Sequence, residues 1–212
     1  MFNAKKIIIS TLLTTLSLSA NNLDVPITEN LSSFTTIDSG HKIEIKRIQD
    51  FNNRLVDDFT KTSRECPPFC IQPTQIMDVK TIAELEVINF IQKKVKNNQG
   101  LLIDTRLKSW FELETIPSAI NIPFTVMESE EVTSNKVLKI LGMKTKSNGS
   151  KDFSNTKELI LFSNGPWSAQ TTRFITKILQ KGYPQEKILF YRDGLQGWKL
   201  LGLTTVIHKE IK

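Results

Sequence analysis

Hydrophobic and polar positions along the chain repeat with two different periods, one typical of strands and one typical of helices. Residues 42–48 alternate apolar with charged side chains, which predicts a half-buried strand. Further along, apolar residues recur at helical spacing. That spacing predicts helices over 81–97, 132–141 and 169–181, and a short closing helix over 196–201. The first helix should begin at Thr81 as its N-cap, with Glu84 completing a capping box.

Short apolar runs separate these helices. They predict buried strands over 101–103, 120–122, 159–162 and 188–191. Strands that alternate with helices indicate an α/β fold, with a central parallel sheet and helices on both faces. Because ligands of such sheets bind beyond the carboxyl ends of the strands, residues 104–106 and 163–170 are the first places to look for a site.

Residues 1–20 have the layout of a secretory signal peptide. Two lysines precede an apolar stretch over 7–18, and the small residues Ser19 and Ala20 follow it. The stretch is shorter than the roughly 20 residues that a membrane-spanning helix needs. We therefore expect cleavage after Ser19 or Ala20, a periplasmic location or secretion, and contact with the membrane only through the uncleaved signal.

An N-terminal extension over 21–73 should follow the signal. Its first part, 21–39, is rich in Asn, Ser and Thr, which predicts a flexible tether. A short polar helix is expected over 53–60. Later in the chain, the polar stretch 144–155 predicts an exposed loop of unusual length.

The amino-acid composition limits the classes of function that the chain can have. With 39% hydrophobic and 24% charged residues in 212, the chain can bury one sizeable core. The formal charge of +6 comes from basic residues scattered among acidic ones, so nucleic acid is not an expected partner. His41 and His208 lie near opposite ends of the chain, and the two cysteines have no second Cys or His pair beside them. No metal site and no cofactor are therefore predicted.

Cys66 and Cys70 enclose the sequence Pro-Pro-Phe. Cysteines of exported proteins are usually paired, which favours a disulfide that pins the extension. A redox-active pair is the alternative.

The segment 163–168, Ser-Asn-Gly-Pro-Trp-Ser, joins a predicted strand to a predicted helix. Its backbone amides can converge at the N-terminus of that helix, where Ser163 would lie in a positive potential. Gly165 permits a tight turn. Pro166 stiffens the loop and removes one amide donor.

Four stretches, in order along the chain, resemble the motifs of rhodanese-type sulfurtransferases. They are 102–106 (Leu-Ile-Asp-Thr-Arg), 116–123 (Ile-Pro-Ser-Ala-Ile-Asn-Ile-Pro), 161–168 (Leu-Phe-Ser-Asn-Gly-Pro-Trp-Ser) and 192–198 (Arg-Asp-Gly-Leu-Gln-Gly-Trp). Residues 74–208 are thus similar to a rhodanese-like domain, and 66–73 resembles an extension found on an exported subgroup of that family. The resemblance implies the rhodanese-like α/β fold. It also implies a binding loop made of Ser163, Asn164, Gly165, Pro166, Trp167 and Ser168.

The resemblance also implies a specific chemistry, from which this sequence departs. In active members the first loop residue is a cysteine, which takes sulfane sulfur from a donor such as thiosulfate and passes it to cyanide or a thiol. Here that residue is Ser163, and Ser168 stands where related exported members often have a second cysteine. Ser118 and Glu114 replace a usual Gly and a common His. Amides and a helix N-terminus can lower the pKa of a thiol from about 8.5 to about 3.5, but they leave an alcohol un-ionised near neutrality. No histidine is expected near the loop, and no Gly-x-Ser-x-Gly elbow is present to activate a serine.

Residues around the loop have competing interpretations. Asp104 and Arg106 are expected to support it through structural contacts, which such ion pairs commonly make. Trp167 is either a binding contact at the rim or packed back onto Trp198 or Phe124.

We therefore expect a catalytically impaired rhodanese-like domain that binds a small sulfur-containing anion or an unknown envelope protein. Arg173, one turn into the helix after the loop, either assists such an anion or is a solvated surface charge. The alternative is an active envelope sulfurtransferase or thiol-redox protein that uses Cys66 and Cys70. A purely structural adaptor is a third possibility.

Overall fold

The computed structural model describes residues 24–209. Its centre is a five-stranded sheet in which every neighbouring pair of strands is parallel. The strands are β3 (Lys80–Ile82), β4 (Gly100–Asp104), β5 (Ala119–Asn121), β8 (Glu158–Phe162) and β9 (Ile188–Tyr191), in the spatial order β3-β9-β8-β4-β5. The parallel sheet is confirmed, and β8 lies at its middle.

Helices cover both faces of the sheet, as predicted. They are α1 (Glu84–Phe90, continued as a π-helical turn over Ile91–Val95), α2 (Lys108–Leu113), α3 (Phe124–Glu128), α4 (Glu131–Ile140), α5 (Gln170–Gln180) and α6 (Gly194–Leu200). Alternation along β8 divides the core, because successive strand side chains point to opposite faces. Leu159 and Leu161 pack with α3, α4 and α5, whereas Ile160 and Phe162 pack with α1 and α6.

The extension is folded onto the domain, so the predicted tether over 21–39 is wrong for its second half. Strand β1 (Ser33–Asp38) pairs antiparallel with β2 (His41–Lys46), which is the strand predicted from alternation. Ile45 of β2 is fully buried in the same core as Phe162. Burial of apolar side chains against the sheet therefore holds the hairpin in place.

Several element boundaries differ from the prediction. Thr81 lies in β3 and does not cap a helix. Instead α1 begins after Ala83, whose backbone N–H donates to the Glu86 carboxylate at 3.1 Å. The polar helix predicted over 53–60 is a single 3₁₀ turn, Asp57–Thr60. The stretch 144–155 contains a two-strand ladder, β6 (Lys144–Thr145) with β7 (Lys151–Asp152).

The predicted signal peptide, 1–20, lies outside the described residues. None of the helices between residues 24 and 209 combines the length and hydrophobicity that crossing a bilayer requires.

Candidate functional site: the loop between β8 and α5

The loop that the sequence singled out lies at the carboxyl end of the central strand. Ser163 directly follows β8, and α5 begins at Gln170. Ser163, Asn164 and Ser168 are buried, with 4%, 4% and 6% of their surface exposed. A loop of polar residues is thus enclosed at the sheet edge where ligands of parallel sheets bind.

The start of α6 packs directly against this loop. The backbone N–H groups of Leu195 and Gln196 donate to the carbonyls of Ser163 (2.9 Å) and Asn164 (2.8 Å). Gly194 has a φ of +56°, and a Cβ there would lie 2.3 Å from the Ser163 carbonyl oxygen. The loop and the helix can approach this closely only because residue 194 has no side chain. Gly194 therefore both begins α6 and permits its close contact with the loop.

Asp104 and Arg106 form a buried ion pair, as expected for supporting residues. The Arg106 Nε lies 2.9 and 3.0 Å from the two Asp104 carboxylate oxygens, and Nη2 lies 2.6 Å from Oδ2. Both side chains are essentially inaccessible to solvent. Thr115 donates a further hydrogen bond to Asp104 Oδ2 at 2.8 Å. The remaining guanidinium nitrogen, Nη1, donates to Asn164 Oδ1 at 3.1 Å, so the pair also orients the loop.

Most amides of the loop are free within the described protein. The Ser168 N–H donates to the Gly165 carbonyl at 3.0 Å, which closes a turn. The N–H groups of Asn164, Gly165, Trp167 and Ala169 donate to no acceptor among residues 24–209. Free amides at a helix N-terminus present partial positive charge to an anion.

No imidazole or carboxylate base accepts a hydrogen bond from the Ser163 hydroxyl among residues 24–209. His208 stacks on Phe111, with ring centroids 4.5 Å apart, and its Nε2 lies 3.3 Å from Asp38. His41 opens β2 and pairs with Asp38 in the β1–β2 hairpin. Both histidines are therefore accounted for elsewhere.

Trp167 makes a contact that neither interpretation anticipated. Its ring packs edge-on against Phe69 of the extension at 5.7 Å, and the Arg64 guanidinium lies 3.6 Å from the ring centroid. Its Nε1 donates to Gln196 Oε1 at 2.6 Å. Trp198 is instead a fully buried residue of α6, and Phe124 lies beneath Arg173.

Arg173 is engaged by an acid. Its Nε and Nη2 donate to the two carboxylate oxygens of Glu128 at 2.7 and 2.6 Å, and its guanidinium lies 4.4 Å from the centroid of Phe124. It is therefore a surface charge, 53% exposed, that is also paired with Glu128. Its assistance to an anion stays a prediction.

The extension reaches the loop from the other side. The predicted disulfide between Cys66 and Cys70 is present. Next to it, the Gln72 N–H donates to the Pro166 carbonyl at 2.7 Å, and Arg192 donates to the Gln72 carbonyl at 2.8 Å. Arg64, Gln72 and Gln196 contact the loop and were not predicted from the sequence. Arg64 and Gln72 reach it across more than 90 residues and Gln196 across 29, and contacts so distant along the chain leave no periodic signal.

A cavity of about 230 Å³ is lined in part by Phe59 of the extension, Arg106, Leu195 and Lys199. Asp57, Asp58 and Glu114 also line it, and the loop residues 163–169 do not. Because its carboxylates outnumber its cationic groups, the cavity is not assigned to an anion.

Comparison with known proteins identifies a family. Residues 88–201, more than half of the chain, match the Rhodanese-like domain family. No curated protein sequence matches the chain.

Solved structures with a similar chain path include a protein from Bacillus halodurans (18% identity, 61% of this chain and 77% of that chain covered, TM-score 0.45). They also include a rhodanese-like domain from Anabaena sp. (15% identity, 64% and 85% covered, TM-score 0.43). A thiosulfate sulfurtransferase from Pseudomonas aeruginosa is 17% identical, with 62% of this chain but only 21% of that chain covered and a TM-score of 0.42.

Proposed function

The chain belongs to the rhodanese-like family, and from that premise we propose that Ser163 stands at the position of the family's catalytic cysteine. The domain would then keep the anion-binding loop but lack persulfide chemistry. Ser163 is the first residue after the central strand β8 and the first of the loop that leads into α5, which supports the proposal.

The chemistry of oxygen carries the argument for impairment. A rhodanese nucleophile must be ionised to attack sulfur, and a loop of amides can stabilise a thiolate because the thiol pKa is already low. An alcohol needs a neighbouring general base. The observation that carries the proposal is the absence of any imidazole or carboxylate hydrogen-bonded to the Ser163 hydroxyl among residues 24–209.

The loop 163–169 would also retain the ability to bind an anion. The free amides of Asn164, Gly165, Trp167 and Ala169 belong to the loop that leads directly into an 11-residue helix, α5. Such an arrangement favours a small anion over a neutral molecule. Thiosulfate and sulfite are the anions that the family's chemistry suggests. An unknown envelope protein is the other partner that we propose to test.

The alternative function uses the extension's cysteines for sulfur or redox chemistry. The chain has two cysteines, and both are in the Cys66–Cys70 disulfide. The oxidised protein therefore carries no thiol that could accept sulfur. No contact in the described structure brings a sulfur acceptor to this pair, so the impaired binding domain is the better supported function.

A thiosulfate:cyanide sulfur-transfer assay tests the proposal. We expect only background activity from the unmodified chain, and measurable thiocyanate from Ser163→Cys, which places a thiol in front of the free amides. Ser168→Cys is the matched control, because it adds a thiol to the same loop at a residue whose N–H already closes the turn. Activity in the unmodified chain would refute impairment. Background activity in Ser163→Cys, if folded, would refute retention of a competent loop.

Binding can be measured without turnover. Thiosulfate or sulfite at about 100 times its dissociation constant should stabilise the fold by about 2.7 kcal/mol, visible as a rise in Tm. Chloride at equal ionic strength is the control. An equal response to chloride would rule out a specific anion site.

A further inference from the structure

Residues 64–73 of the extension, the strap, lie along the rim of the 163–169 loop. The strap is joined to the loop by the hydrogen bond from the Gln72 N–H to the Pro166 carbonyl, at 2.7 Å. The side chain of Arg192 holds the end of the strap by donating to the carbonyls of Gln72 (2.8 Å) and Pro73 (3.2 Å). One end of the strap is therefore fixed to the domain.

The other end of the strap covers Trp167. Arg64 lies 3.6 Å from the centroid of the indole ring and 5.6 Å from the centroid of Phe69, while Phe69 contacts the indole edge-on at 5.7 Å. Cation–π and edge-to-face aromatic contacts are each modest in strength. A small increase in the freedom of Phe69 can therefore open this end.

The Cys66–Cys70 disulfide controls that freedom. It encloses Phe69 in a ring with only two other residues, Pro67 and Pro68. The Phe69 N–H also donates to the Glu65 carbonyl at 3.0 Å within the same turn. Cys66 is exposed at the surface, where a dithiol can reach it.

We propose that the thiol–disulfide state of Cys66 and Cys70 gates the 163–169 loop. The disulfide form holds Phe69 and Arg64 over Trp167, and the dithiol form releases them while Gln72 stays attached as a hinge. The functional meaning of the gate rests on the proposed binding function of the loop. The partner that would reduce the Cys66–Cys70 disulfide is a protein dithiol.

The redox step is an ordinary exchange. A thiolate of the dithiol attacks the Cys66 sulfur, and the Cys70 sulfur leaves as a thiolate and takes up a proton. The second thiol of the dithiol then displaces Cys66 and becomes part of a new disulfide. Two electrons pass from the dithiol to this chain, and two protons end on the Cys66 and Cys70 sulfurs.

Hydrogen exchange of the full chain tests the gate. We expect the Ser168 amide, whose N–H donates to the Gly165 carbonyl at 3.0 Å, to exchange about tenfold faster after reduction with dithiothreitol, since the aromatic and cation–π contacts at the neighbouring Trp167 ring are lost. The central strand β8 should be unaffected. Unchanged exchange at Ser168 in protein shown by mass to be reduced would overturn the proposal.

Variants separate the gate from simple damage to the fold. Phe69→Ala keeps the disulfide and should speed exchange to a similar extent without reductant. Ile71→Ala is the matched control: it also lies in the strap but is 85% exposed, so exchange should not change. Cys66→Ser/Cys70→Ser should exchange fast and show no further response to dithiothreitol, and a response in that variant would contradict the gate.

This measurement is independent of ligand binding and sulfur transfer. If thiosulfate and sulfite do not stabilise the fold but reduction speeds amide exchange, the proposed binding function is rejected and the gate is kept. If the anions stabilise the fold but reduction leaves exchange unchanged, only the gate is rejected.

Discussion

Asp104 and Arg106 support the loop and also contribute to the stability of the core. Their carboxylate and guanidinium are buried together, and one nitrogen of the guanidinium reaches Asn164. Breaking a buried pair leaves one charge without compensation, which is far more costly than losing an exposed pair.

Asp104→Asn should therefore reduce the free energy of unfolding by about 3–5 kcal/mol, as measured by urea denaturation. The control is Glu128→Gln, which breaks the more exposed pair with Arg173 and should cost about 1 kcal/mol or less. Equal losses in the two variants would mean that Asp104 and Arg106 are not a buried pair in solution.

Gly194 offers a second comparison between single residues. Gly194 and Gly40 both have a positive φ, so alanine is strained at each, by about 1–2 kcal/mol. A Cβ at 194 would also collide with the Ser163 carbonyl, whereas one at 40 meets nothing within 4 Å. We expect Gly194→Ala to lose about 1–3 kcal/mol more in thermal or urea unfolding than Gly40→Ala. Similar losses would show that α6 does not press on the loop.

Regular elements could be predicted where a full hydrophobic period was present. The predicted bounds of the central strand β8 and the helix α5 lie within one residue of the observed bounds, because each segment has an uninterrupted hydrophobic pattern. Helices α2 and α3 span six and five residues, too few to establish a 3.6-residue period. Strand β3 has only three residues, too few to show a strand pattern, and the predicted helix over 81–97 therefore included part of it.

Strand β1 was missed although a local signal existed. Ser39 and Gly40 both have positive φ values, 47° and 83°, which is the geometry of a two-residue hairpin turn. The dipeptide Ser-Gly in front of the alternating strand β2 was the available indication. The polar composition of 21–39 instead favoured a flexible tether. A strand at the edge of a two-stranded hairpin needs only one apolar face, so a polar composition is compatible with it.

Two buried tyrosines, Tyr183 after α5 and Tyr191 at the end of β9, make the fold sensitive to alkali. Burial raises the pKa of Tyr183, and burial together with the nearby Glu84 carboxylate raises the pKa of Tyr191. Below about pH 10 both residues are protonated in the folded and unfolded states. Above it the unfolded chain loses these protons first, so the free energy of unfolding falls as pH rises towards the folded-state pKa values.

Urea unfolding at increasing pH measures this loss, and near-ultraviolet phenolate absorbance follows it, since the chain has only these two tyrosines. Phenolate should appear together with unfolding. Tyr183→Phe should reduce the alkaline loss, although it also removes the hydrogen bond to the Lys157 carbonyl. Phenolate in the native protein at an ordinary pKa would contradict this account.

For the molecule as a whole, the position of the candidate loop could be predicted from the sequence, but the strap beside it could not. The β8–α5 loop and residues 104–106 could be placed together because parallel strands end at the same edge of the sheet. The strap could not, since its contacts join Arg64 and Phe69 to Trp167 across about a hundred residues, a separation that no periodic pattern reports.

Export is a further proposal that concerns the whole chain. We propose that residues 1–20 are removed and that the mature protein lies in the envelope. Intact mass and N-terminal sequencing of protein isolated from the envelope should place the first residue just after Ser19 or Ala20. A mature chain that keeps Lys5 and Lys6 would contradict cleavage.

The central claim is that oxygen at residue 163 cannot carry sulfane sulfur. Its most direct test is the mass of the peptide 161–170 after the intact protein is incubated with thiosulfate and digested without reductant, with Ser163→Cys as positive control. We predict the unaltered peptide mass for the native chain. A gain of one sulfur atom that cyanide removes would contradict the claim.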